Sequence, residues 1–300
     1  MKIKIKSTIE FEKIKEFNMD PIPVTRNRIA IQQSLDSDEA VKQTLITQLE
    51  KYSIGIESLV TEVYKSQHKP LKSNPFFAWQ IGHHEISSAC WQVERIMPKF
   101  VLAYLYLKSG HDTLPDYKSA SSNFNKAILQ HKSIQKILSN WKWKNDNMNY
   151  YFLQKSWHDS MINHLECLQH MSMLSVGIEN NVPVQTLLTV ADRGVKSASF
   201  SIADWSSEHE PENTLPICQA MQMYFSSKLL WKDGKYGHSI YRLKMLHDSA
   251  YPNSKFEAIN NELDKVYLLL SEHQRINNGA YFETVEEGLP LQTPLELIGA

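Results

Sequence analysis

Apolar residues fall at Val41, Leu45, Leu49, Tyr52, Ile56, Leu59 and Val63 between Asp36 and His68. Steps of four and three held over that length predict one long helix with a single buried stripe. Ser37 is its expected N-cap, and Pro70 stops it. The run Phe76, Phe77, Trp79, Ile81 before Gly82 predicts a short strand or an extended aromatic plug. Helical spacing resumes from Ile86 to Lys108, where Pro98 kinks the helix or falls near its first turn. Further helices are expected over 116–138, from Tyr150 to about Ile178, and from Pro183 to about Trp205, with polar loops at 140–147 and 206–213. Ile217, Met221, Tyr224 and Phe225 lie on one face before Lys232-Asp233-Gly234, and Ile240, Leu243 and Leu246 begin another. Two amphipathic helices around a glycine-containing turn form an αα-hairpin of tetratricopeptide type. A last helix runs from Phe256 to about His273.

The expected fold is therefore dominated by α-helix, an elongated, curved helical solenoid with a tetratricopeptide-like core. It carries a small β element in the N-terminal third. No flexible linker interrupts it, so residues 1–300 are expected to form one domain.

The composition is that of an ordinary folded protein, with 42% hydrophobic and 22% charged residues. No apolar run of transmembrane length occurs, and the Lys-Ile alternation at the start lacks a signal-peptide core. Neither myristoylation nor prenylation is expected, since the start is not Met-Gly and the end has no Cys. A net charge of −1 argues against nucleic acid as the main partner. Cys90, Cys167 and Cys218 are far apart and odd in number, which fits free thiols in a reducing compartment.

Twelve histidines invite a search for catalytic or metal sites. His83-His84-Glu85 resembles a ligand cluster, but neighbours on a strand point to opposite faces, so exposed polar residues are the expected reading. His158, His164 and His170 recur every six residues, which spreads them around a helix. Cys167 has no second cysteine at metal spacing and is expected to be a buried structural thiol. No phosphate loop, dinucleotide fingerprint, nucleophile elbow or paired-cysteine zinc motif occurs. No metal, cofactor or catalytic residue is implied, and an enzyme is the least favoured reading.

Five segments together resemble the BRO domain family, the helical domain of Alix-like and Brox-like endosomal sorting adaptors. Phe77-Ala78-Trp79 is similar to its Phe-x-Trp strand. Glu94 to Tyr106 with Gly110 resembles its Glu-Lys-Ala-x-x-Leu-Phe-Asn-x-Gly-Ala-Leu-Tyr segment, with Val101 in the Asn place and Ala103 in the Gly place. Lys118, Ala120, Phe124 and Ala127 resemble the next helix, with Tyr117 in a Leu place. Gly234-Lys235-Tyr236-Gly237 through Leu243 and Asn277 through Val285 complete the set, followed by Leu289-Pro290 and Gly299-Ala300. Residues 76–300 carry the resemblance, and residues 1–75 match poorly.

The resemblance implies a scaffold, not an enzyme. Its partner would be the C-terminal amphipathic helix of an ESCRT-III subunit of the charged multivesicular body type, received in an apolar groove. Carried over, the groove positions are Met173, Leu187 and Val190, with Leu114 where members differ between acidic and apolar residues. Core packing is the alternative for Met173, Leu187 and Val190. Tyr281 corresponds to a tyrosine phosphorylated in some members, a packed tail aromatic being its alternative. The implied place is the cytoplasm with recruitment to endosomes, and membrane association through partners only. A scaffold of the ambient-pH signalling branch, or another helix-binding module, is the alternative function.

Overall fold

The computed structural model describes residues 3–14, 16–36, 42–65, 75–140, 150–200, 214–249 and 251–285. Among them are ten α-helices and one three-stranded sheet. The chain divides into two compact units, Met1–Lys108 with Lys126–Asp159, and Ser109–Asn125 with Ser160–Ala300.

In the first unit, β1 (Ile3–Ile5), β2 (Phe77–Ile81) and β3 (His84–Ser88) form an antiparallel sheet with β2 central. Ile5 lies opposite Trp79, which lies opposite Ile86. The Lys-Ile alternation at the start is thus a strand, with Ile3 and Ile5 buried and Lys4 turned outward. Only β2 was foreseen. Because Ile86–Ser88 pairs with β2, the next helix begins at Trp91 and not at Ile86. Ser88 Oγ accepts the Cys90 N–H at 3.0 Å and turns the chain from strand to helix.

Three helices complete the frame of this unit. The first, α1 (Ile22–Asp36), has no counterpart in the sequence reading. It buries Val24, Thr25, Arg28 and Ile31, so two polar residues occupy the face that an apolar stripe would reveal. In α2 (Lys42–Lys65) the predicted stripe is buried at Leu45, Leu49, Tyr52, Ile56 and Leu59. Its expected cap Ser37 and stop Pro70 lie outside the described residues. Pro98 stands inside α3 (Trp91–Asp112).

Arg28, Tyr52, Trp79 and Glu94 meet at the centre of this unit, each between 0% and 1% exposed. Arg28 Nε donates to Glu94 Oε1 at 2.9 Å, and the Tyr52 hydroxyl donates to the same oxygen. Trp79 Nε1 donates to Glu94 Oε2 at 2.7 Å. The rest of the Arg28 guanidinium reaches the Ser7 carbonyl and the Ser7 hydroxyl. Burial and the Glu94 charge push the Tyr52 hydroxyl well above its ordinary pKa.

The latter part of α4 (Tyr117–Asn140) and the start of α5 (Lys155–Glu179) bring His131 and His158 together. Their Nδ1 atoms are 2.8 Å apart. His158 Nε2 lies 2.7 Å from the Phe152 carbonyl and must carry its proton to bond there, so His158 accepts at Nδ1 from His131. Phe152 belongs to a short 3-10 turn, Tyr151–Leu153, where the expected helix from Tyr150 is delayed to Lys155.

In the second unit, α6 (Val184–Ser199) follows Pro183, which is the cap instead of the first helical residue. The predicted hairpin is α7 (Thr214–Lys232) and α8 (Tyr236–Asp248), with Gly234 at a φ of +76. Ile217, Met221, Tyr224, Phe225, Ile240, Leu243 and Leu246 are all buried in it. The expected last helix is two, α9 (Glu257–Leu263) and α10 (Val266–Ile276), which breaks at Asp264-Lys265. A π-turn, Asn277–Tyr281, extends the second.

Burial holds His111, His158, His164 and His273 neutral, with pKa values lowered to about 4 from 6.5. Burial, then the facing His158, lowers His131 well below its ordinary pKa. The unfolded chain takes up protons at these rings as pH falls through 6.5, whereas the folded chain does not until about 4. Their contribution is therefore complete above that upper value and is lost on acidification toward the lower one. Each fully buried ring is worth on the order of 3 kcal/mol across the window. Urea midpoints are expected to drop steeply between about pH 6.5 and 4; a flat profile there would show that the rings are charged or solvated.

Candidate partner-binding site

Helices α5 and α6 are joined by the turn at Asn180–Pro183, in which Asn181 takes a φ of +52 and Val182 N donates to the Gly177 carbonyl at 2.9 Å. Asparagine tolerates that left-handed backbone better than most residues. On α6 the buried positions are Leu187, Leu188, Ala191, Gly194, Ser197 and Ala198, a stripe at helical spacing. Thr186, Thr189, Arg193 and Lys196 face solvent.

The carried-over residues separate in this frame. Met173 is 46% exposed on α5, between the buried Ser172 and Leu174. Ser172 and Ser175 satisfy their hydroxyls on the carbonyls one turn back, Leu168 and Met171, both at 3.0 Å. Val190 is half-buried at the edge of the α6 stripe. Leu187 is 6% exposed and packs over Gly177 of α5. Leu114 is half-buried in the turn between α3 and α4, not on either of these helices.

A polar edge lies one turn from these apolar residues. His170 precedes Met173 by three positions, and Arg193 follows Val190 by three. Burial lowers the His170 pKa, which the Glu166 charge opposes and the Arg193 charge reinforces. The surface thus offers an exposed methionine and a half-buried valine, with Arg193 one turn beyond the valine. That suits recognition of an amphipathic segment through a few anchors and flanking charge. Among the described residues no group of three or more His, Cys, Asp and Glu is placed to hold a metal ion. No described helix is long and apolar enough to cross a membrane.

Tyr281 stands elsewhere in the same unit. Its ring stacks on Tyr236 at 3.7 Å, and Trp231 stacks on His273 at 3.7 Å beside them. The tail that follows closes onto the N-terminus of α8. Glu283 accepts the Gly237 N–H on its carboxylate at 2.8 Å, a helix cap that no residue of α8's own N-terminus supplies. Asn277 holds Glu283 in place by accepting its N–H at 3.1 Å and donating to its carbonyl at 2.8 Å. A Cβ on Gly237 would come within 2.1 Å of the Thr284 carbonyl. In the sequence these residues belong to two separate motifs, and the fold pairs Gly237 with Glu283, 46 residues apart.

No protein-family model matches the chain, and no curated protein matches it. Among solved structures it is similar to the ALIX BRO1 domain in complex with CHMP4C, at 14% identity and a TM-score of 0.71, over 96% of this chain and 89% of that one. It is similar to ALIX in complex with the SIVmac239 PYKEVTEDL late domain, at 15% identity and a TM-score of 0.69, over 88% of this chain and 40% of that one. A third similarity is to a Bro1 domain solved as the basis for endosomal targeting, at 13% identity and a TM-score of 0.67, over 91% and 79%. The chain has the fold of the BRO domain.

Gly237→Ala should push the tail off α8 and lower stability by about 1–3 kcal/mol, the cost of overpacking. Limited proteolysis should then cut after Ile276 faster than in the unaltered chain. Unchanged stability and unchanged cleavage would show that the tail does not seat on this glycine.

Proposed function

We propose that the protein is a non-enzymatic scaffold that receives the C-terminal amphipathic helix of an ESCRT-III subunit of the charged multivesicular body type. The carrying observation is the exposed Met173 on α5, with half-buried Val190 on the adjoining α6, in a helical fold shared with a BRO1 domain solved with CHMP4C. Leu187 supports the site from below as a packed residue, and Leu114 is a further contact on the α3–α4 turn. Large apolar side chains left in water gain most when a partner covers them, and methionine adapts to varied partners. Residues 1–300 act as one such domain, working in the cytoplasm and reaching endosomal membranes through the partner. No cofactor or nucleic acid takes part.

The test is a titration of labelled C-terminal helix peptides of charged multivesicular body proteins against Met173→Asp and Val190→Asp. Each substitution should weaken binding roughly tenfold or more, since a charge replaces an anchor. Met173 is already exposed, so its variant should melt within about 0.5 kcal/mol of the unaltered chain. Undiminished binding in both folded variants, or no binding by the unaltered chain, would overturn the proposal.

A further inference from the structure

Cys167 on α5 and Cys218 on α7 are 51 residues apart in the chain, yet their sulfurs lie 3.4 Å apart. Both are free thiols, 0% and 1% exposed. Cys90 is half-buried and belongs to the other unit. We propose that Cys167 and Cys218 are a redox modification site, forming a reversible disulfide that ties α5 to α7. This inference does not rest on the helix-binding reading.

The geometry is close to what the bond needs. A disulfide holds its sulfurs at about 2.05 Å, so the pair must close by about 1.4 Å. Gly194 of α6 borders the pair, and a Cβ there would stand 3.1 Å from the Cys218 sulfur. The missing side chain leaves the sulfur room to turn.

The two sulfurs are also unequal. Hydrogen bonds from the Cys218 thiol and the Thr214 hydroxyl, against the cost of burial, bring the Cys167 thiol below its ordinary pKa. The shared bond, together with burial, pushes Cys218 well above its own. Cys167 is then the attacking thiolate and Cys218 the resolving thiol.

The oxidant is a hydroperoxide, admitted during local opening of the helices. The Cys167 thiolate attacks the terminal peroxide oxygen, the O–O bond breaks, and the departing alkoxide takes the proton that Cys167 gave up. Cys218 sulfur then attacks the resulting sulfenic sulfur, an S–S bond forms, and water leaves with the Cys218 proton. Two thiols and one hydroperoxide become one disulfide, one alcohol and one water. An external dithiol reverses the step.

The experiment uses the full chain carrying Cys90→Ser, treated with hydrogen peroxide under native conditions. Thiols titrated afterwards in denaturant should fall from two to none, with loss of two hydrogen atoms in the intact mass. Peptide mapping should recover a linked Cys167–Cys218 pair. The bridge should raise the melting temperature by roughly 5–10 °C, reversed by dithiothreitol. Adding Cys218→Ser should leave a sulfenic acid on Cys167 that dimedone captures. Two thiols persisting in the folded chain would overturn the proposal. So would sulfinic or sulfonic products without a link, or a link that forms only in denaturant.

Discussion

The buried carboxylate of Glu94 is the constraint on which the first unit depends. Taking a carboxylate and a guanidinium out of water costs several kcal/mol per ion, and their attraction offsets that only where every remaining polar atom is also partnered. Here the partners come from separate stretches of chain. Arg28 arrives on α1, Tyr52 on α2 and Trp79 on β2, while Ser7 closes the outer side of the guanidinium. Ser7 Oγ also accepts the Ala78 N–H at 2.9 Å, which ties the loop after β1 to β2. One charge thereby sets where two helices and a sheet must stand. A shift of any of them would strand a buried polar group.

This explains which parts of the fold were legible in the sequence. Helix α2 buries an unbroken apolar stripe, and the α7–α8 hairpin buries apolar faces around a glycine with positive φ. Both were readable because burial and hydrophobicity coincide there. Helix α1 was not, since Thr25 and Arg28 occupy its buried face. Strand β1 is too short to declare itself, and β3 merges with the following helix in the sequence because Ile86 continues that helix's apolar spacing. Trp79 and Glu94 were both visible as motif residues. Their hydrogen bond was not, because its warrant is three-dimensional.

The same limit governs the second unit. Met173 and Val190 were reachable from the resemblance, and their exposure distinguishes them from Leu187, whose apolar character is the same. The Cys167–Cys218 contact joins helices that no spacing rule relates, so three scattered cysteines read as unconnected. Glu283 illustrates the point from the other side. An exposed acidic tail residue is unremarkable in a sequence, and only the approach of Gly237 shows that it caps α8. Polar side chains that act across long separations shape both units, and their partners cannot be inferred from periodicity.

Glu94 and Arg28 act as a unit within a closed network. A double-mutant cycle with Glu94→Gln and Arg28→Met, read by urea unfolding, measures how strongly the two are coupled. Each single change should cost about 3–5 kcal/mol because it leaves the other group buried and uncompensated. The double variant should lose far less than the sum, with a coupling of roughly 2 kcal/mol or more. Single costs that add to within about 0.5 kcal/mol would show that the two residues act independently.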